Sequence, residues 1–221
     1  MRGGRILGAC IGTVLASSAT GATASLAALP EFSPPFPNAF TSTSKAMTLQ
    51  TVGKFRVSCT ADTSNGEVTG PATALVTITF TGCATGEGAS FGQCQNGVPG
   101  EVSTRRLSGT LGYLNRTHTA VGLDLSNPTG APMARFSCGE DTLVETSGSL
   151  IGRVTPINKT IAPGEHVTLK FAQKEGHQAV KRLLGGPRDV PLTKVLFGPL
   201  EESGLSCTEL LTFSAPIEIV A

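Results

Sequence analysis

Val76-Thr77-Ile78-Thr79-Phe80-Thr81 places an apolar side chain at every second position and a threonine between each pair. Alternation of that kind belongs to an antiparallel strand with one buried and one wet face. The same period extends to both sides of this segment. Phe55, Val57 and Cys59 share a face, as do Val121, Leu123 and Leu125, and then Ala134, Phe136 and Cys138. Val167, Leu169 and Phe171 continue it, and Leu211, Phe213, Ala215, Ile217 and Ile219 close the chain. Turn signals separate these runs at Ser64-Asn65-Gly66, Asn127-Pro128-Thr129-Gly130, Ala162-Pro163-Gly164 and Gly185-Gly186-Pro187. No segment keeps a helical period over three turns. The pattern predicts an all-β chain: a single antiparallel β-barrel or β-sandwich domain with short hairpins, spanning residues 45–221. Residues 176–204 are less regular and are expected to hold a short helix or long loops.

Composition agrees with that class. Among 221 residues there are 27 Gly, 14 Pro, one Tyr and no Trp. Threonine and valine suit a pleated surface, and Gly and Pro punctuate turns. Scarce Tyr and Trp argue against sugar-ring platforms and leave few large anchors for an interface.

The N-terminus reads as an export signal. Arg2 and Arg5 precede an uncharged apolar stretch from Ile6 to Ala16, followed by small residues in which Ala22-Thr23-Ala24 and Ser25-Leu26-Ala27 each fit a cleavage site. The apolar part is too short for a membrane anchor. Leu7-Gly8-Ala9-Cys10 matches a lipoprotein box, but the apolar run continues past Cys10, which places that cysteine inside a discarded peptide 1–27. The mature chain is then expected to be secreted and extracellular. Its 15 basic residues face 16 acidic ones, a formal charge of −1. A near-neutral chain lacks the basic patch that nucleic acid requires. No later segment forms a transmembrane span.

Residues 28–44 form a proline-rich lead, with Pro30, Pro34, Pro35 and Pro37 excluding helix. Phe32, Phe36 and Phe40 recur in it every four residues. They read as a docking peptide or, preferably, as side chains tucked onto the protein's own sheet.

Chemistry-bearing motifs are few. Gly88-Ala89-Ser90-Phe91-Gly92 matches the nucleophile elbow, which needs a strand before it and a helix after it; here it sits in a glycine-rich loop of an all-β pattern. His118, His166 and His177 fall in turns or on a wet face. Asp62 to Glu67 lacks the alternating carboxylates of a calcium loop and reads as a turn. There is no Cys-x-x-Cys and no His-Glu-x-x-His, and no phosphate-cradling loop at Gly53-Lys54. Glu140-Asp141 and Glu201-Glu202 read as solvated charges. The expectation is no catalytic residue, no metal and no cofactor.

Five cysteines follow the leader, an odd number, so one is left over. Cys83 and Cys94 flank a glycine-rich loop and are expected to bridge, a link worth about 2.5–3 kcal/mol by loop entropy. Cys59 and Cys138 each share a buried face with apolar neighbours and are expected to meet in the core, for about 4–5 kcal/mol. Cys207 then remains, placed at the start of the last strand as a buried free thiol.

The segments LeuProGluPhe, CysThrAlaAsp-x-x-x-GlyGluValThrGlyPro, ThrIleThrPheThrGlyCys, GlyThrLeuGlyTyr, ValGlyLeuAspLeu and GlyArgValThrProIleAsn run in order from Leu29. In that order they resemble a group of exported hypothetical proteins from high-GC Gram-positive bacteria. The resemblance implies an address and no activity, ligand or partner. Cys207 departs from the four-cysteine pattern of that group. The functional expectation is a non-catalytic binding or surface-associated module that takes a small apolar ligand or a surface partner. The alternative is a secreted hydrolase with a loop-built site. A roomy interior would favour a ligand, and a filled one would favour the outer surface.

Overall fold

In the computed structural model, which describes residues 29–86 and 92–221, the protein is all-β, and no helix occurs among these residues. Every strand pairing is antiparallel. Eight strands close into a barrel: Asn38–Ser44, Ala61–Gly70, Thr73–Thr81, Leu107–Tyr113, Val121–Ser126, Ser149–Thr155, Val167–Phe171 and Leu200–Phe213. Closure removes the exposed sheet edges that would otherwise invite aggregation. The period-two positions point inward: Val76, Ile78 and Phe80 are buried while Thr77, Thr79 and Thr81 are half-buried. Leu107, Leu111, Val121, Leu125 and Phe171 fill the inside.

Seven of the other described strands complete a second circuit through the same long strand. It runs from the first half of Leu200–Phe213 through Leu192–Val195, Thr142–Ser147, Ala134–Cys138, Gly92–Gln95, Ala84–Thr85, Arg56–Cys59 and Met47–Thr51, and back. The chain therefore builds a barrel of long strands and, beyond one of its ends, a ring of shorter ones. Several segments serve both. Asn38–Ser44 and Met47–Thr51 lie consecutively along Leu200–Phe213, and the register slips by one residue between them: Thr43 pairs with Leu210, but Thr48 pairs with Ser206. The extra residue is a bulge at the seam of barrel and ring.

Several expectations change. Asp62 to Glu67, with its Ser64-Asn65-Gly66, is not a turn but the middle of Ala61–Gly70. Gly66 is there for packing. It lies opposite Phe40, and a Cβ on it would sit 2.3 Å from the Phe40 ring. That ring packs against Phe213 at 5.4 Å between centroids. The proline-rich lead is shorter than expected, because Asn38–Ser44 is a barrel strand. Phe32 and Phe40 are buried and Phe36 packs against the core, so the phenylalanines tuck onto the protein's own sheet. Residues 176–204 hold no helix; they contain Leu192–Val195 and the start of Leu200–Phe213. Cys207 consequently lies mid-strand rather than at a strand's start.

The disulfide pairing is also corrected. The bridges are Cys59–Cys83 and Cys94–Cys138, not Cys83–Cys94 and Cys59–Cys138. The four cysteines form one row across adjacent strands, and hydrogen bonding decides which neighbours join. The Cys94 amide donates to the Cys83 carbonyl at 2.8 Å. In an antiparallel ladder a hydrogen-bonded pair has its Cα atoms about 5.5 Å apart, whereas a non-hydrogen-bonded pair approaches to about 4.5 Å. A residue bonded towards one neighbour is unbonded towards the other. Cys83 therefore meets Cys59 and Cys94 meets Cys138, each at a Cα separation of 4.0 Å.

Candidate functional site

At the seam, inward positions of three strands bring polar groups together. Ser42 and Ser44 come from Asn38–Ser44, Asp62 and Ser64 from Ala61–Gly70, and Cys207 and Glu209 from Leu200–Phe213. Ser42 faces Ser64 and Ser44 faces Asp62 in the ladder. Asp62 is 1% exposed, Glu209 2% and the free thiol Cys207 4%. The Cys207 thiol donates to Asp62 Oδ2 at 3.4 Å and to Glu209 Oε1 at 3.7 Å. Ser44 donates to Asp62 Oδ2, Ser42 donates to Glu209 Oε2, and the Ser42 and Ser64 hydroxyls lie 2.6 Å apart. Asp62 Oδ1 is buried without a hydrogen-bond partner. Among the described residues no ion pair reaches either carboxyl group.

The electrostatics follow from that isolation. Burial, reinforced by the negative charge of Asp62, pushes Glu209 up to about 7 despite the hydrogen bond from Ser42. Burial and the neighbouring carboxylates push the Cys207 thiol far above its ordinary range, so it is neutral and not a ready nucleophile. Residues 44–46 of the bulge, with Lys170 and Cys207, line an open groove of about 490 Å³ that reaches the cluster from the surface.

Other candidate residues stay apart. Ser90, with Gly88 to Phe91, lies outside the described residues, as do Cys10 and the leader. His118 stacks on Tyr113 at 4.0 Å, His166 Nδ1 lies 2.9 Å from the Thr212 hydroxyl, and His177 lies 3.1 Å from Glu202. Glu140 and Asp141 are exposed in a turn. Glu202 is more than a solvated charge: Lys181 at 2.8 Å and Arg188 at 2.5 Å join His177 around it. Burial alone would raise its pKa, but hydrogen bonds from Lys181 and His177 and the charges of Lys181 and Arg188 hold it below the ordinary value.

The enclosed spaces are small. One apolar cavity of about 60 Å³ is lined by Met47, Leu49, Phe80, Leu125, Phe136 and Leu205 among others, and a second of about 10 Å³ lies beside Glu209 and Leu211.

The seam cluster escaped sequence motifs because its members come from positions 42–64 and 207–209. A signal for part of it was present. By the period of two, Cys207, Glu209, Leu211 and Phe213 share one face of the last strand. No protein-family model, no curated protein and no solved structure matches this chain.

Proposed function

We propose that this is a non-catalytic exported β-protein, a binding or surface-associated module that meets its partner with its outer surface. The filled interior carries this reading. Pockets for small organic ligands run to roughly 300–1,000 Å³, and the larger enclosed cavity is about 60 Å³. A small apolar ligand inside the barrel is therefore disfavoured, and the exterior is left to do the binding.

The outer surface offers one apolar projection suited to contact. Between Leu192–Val195 and Leu200–Phe213 the chain turns through Leu196 and Phe197, and Phe197 is 96% exposed. Leu200 is exposed at the base of this tip, and Val52 is exposed in the neighbouring turn, where its amide donates to the Glu202 backbone carbonyl at 3.0 Å. In a chain so poor in aromatic residues, a bare phenylalanine at a hairpin tip is the natural anchor. Two disulfides suit the oxidising compartment that the leader implies.

Sedimentation of purified protein with the host's envelope fraction tests the reading. Wild-type protein should be retained, and Phe197→Asp should lower retention at least several-fold with an unchanged circular dichroism spectrum. Equal retention of both, or none of either, sinks the tip as the contact. Hydrolysis of ester or peptide substrates that Ser90→Ala abolishes would return the protein to the hydrolase class.

A further inference from the structure

We propose that Asp62, Cys207 and Glu209 form a binding site for a thiophilic divalent ion of the zinc class, held at the seam between barrel and ring. The inference is independent of the surface-module reading.

The donor set comes first. Three potential ligand atoms, one from each residue, lie within 4.8 Å of one another, and all three residues are buried. A tetrahedral zinc ion with Zn–S of about 2.3 Å and Zn–O of about 2.1 Å sets sulfur and oxygen about 3.6 Å apart along an edge. The Cys207 sulfur lies 3.4 Å from the Asp62 oxygen and 3.7 Å from the Glu209 oxygen. An ion could enter with little movement of the backbone.

The second observation is the orphaned oxygen. Asp62 is 1% exposed, yet its Oδ1 has no donor. A buried carboxylate left in this way costs several kcal/mol unless a cation or a proton compensates it. Among the described residues no cationic side chain reaches it, so either a proton held by the Asp62–Glu209 pair or a bound cation must balance it, and a cation does so at the orphaned oxygen itself.

The surroundings are those of a supported site. Ser44 donates to Asp62 and Ser42 to Glu209, which fixes both carboxyl groups from outside the donor set. Three protein ligands leave the fourth tetrahedral position to water or a nearby serine hydroxyl. The groove along the bulge gives an entry path. Sulfur among the ligands disfavours calcium and magnesium, which take oxygen. Binding is written in balance: the ion replaces the proton on Cys207 sulfur and the proton on Glu209 where it is present, and these leave to solvent.

Cobalt(II) is the probe, added to the full chain after treatment with a chelator. One equivalent should produce the near-ultraviolet charge-transfer band of a cobalt–thiolate bond, and zinc should bleach it. The band should persist in Cys10→Ser, vanish in Cys207→Ser, and require at least tenfold more cobalt in Glu209→Gln. Zinc should also raise the melting temperature of the wild-type protein. Absence of the band in wild-type protein overturns the proposal, as does a band that survives Cys207→Ser. Should Cys207→Ser fail to fold, Glu209→Gln decides, because cobalt affinity unchanged from wild type also overturns the site.

Discussion

Two of the three glutamates of Leu200–Phe213, Glu202 and Glu209, stand seven residues apart in opposite surroundings. Glu202, in the ring of short strands, is held by Lys181, Arg188 and His177 and titrates below the ordinary value. Glu209, at the barrel seam, has no cation beside it among the described residues and titrates above. The contrast extends to the two regions. The barrel's strands are mostly longer, and its apolar interior runs on into that of the ring, with the polar seam cluster set within it. The ring includes strands as short as Ala84–Thr85 and Gly92–Gln95, and it contains both disulfides. Where ladders are short, two disulfides and the charges around Glu202 hold the chain; where they are long, the fold tolerates a buried acid. Stability is thus divided between different physical sources along one strand.

The largest expected effect breaks that division at the bridges. The sequence separations are 24 for Cys59–Cys83 and 44 for Cys94–Cys138. Loop entropy assigns them about 3.5 and about 4 kcal/mol. Replacing all four cysteines by alanine should therefore remove about 7 kcal/mol in denaturant unfolding. Hydrogen exchange should show amides of the ring losing protection before those of Thr73–Thr81 and Val121–Ser126. Uniform loss across both regions would mean that they are one cooperative unit.

A barrel core substitution comes next. Leu125 is 1% exposed and borders both internal cavities. Leu125→Ala should cost about 3–5 kcal/mol, because the new void merges with existing space. A loss below about 1 kcal/mol would show that the seam can collapse, and would weaken the distinction between packed barrel and stitched ring.

The pH dependence sharpens the contrast between the glutamates. In chelator-treated protein, Glu209 keeps its proton in the fold above its unfolded value of 4.5, up to about 7. Its contribution is fully present below 4.5, and stability falls as pH rises through that window, by on the order of 3 kcal/mol. Glu209→Gln should flatten this limb. Glu202 works in the other direction: its lowered pKa gives stability above 4.5 that is lost as pH falls through the folded value. Urea midpoints across pH 3–8 check both, and a limb unchanged in Glu209→Gln would contradict the assignment.

Smallest is the loss of one partner of Glu202. The Arg188 side chain is half exposed, and Arg188→Ala should cost less than about 1 kcal/mol in thermal melts, since exposed pairs are screened by solvent. A larger loss would mean that the three cations act as one network.

Strand content was legible along the chain, because alternation at Val76–Phe80, Val121–Leu125 and Val167–Phe171 leaves only one way to bury the apolar face. The sequence also favoured packing of the lead's phenylalanines onto the protein's own sheet, and its odd cysteine count left one thiol over. Tertiary structure alone decided whether Ser64-Asn65-Gly66 turns or runs straight, since that depended on a ring from Phe40 needing the space above Gly66. It decided the disulfide pairing through the hydrogen-bonding phase of neighbouring strands, which local spacing does not encode. And it decided the seam cluster, because only closure of the barrel brings Asp62 against Cys207 and Glu209. Periodicity is a local property of the chain, whereas register, phase and closure are relations between distant segments.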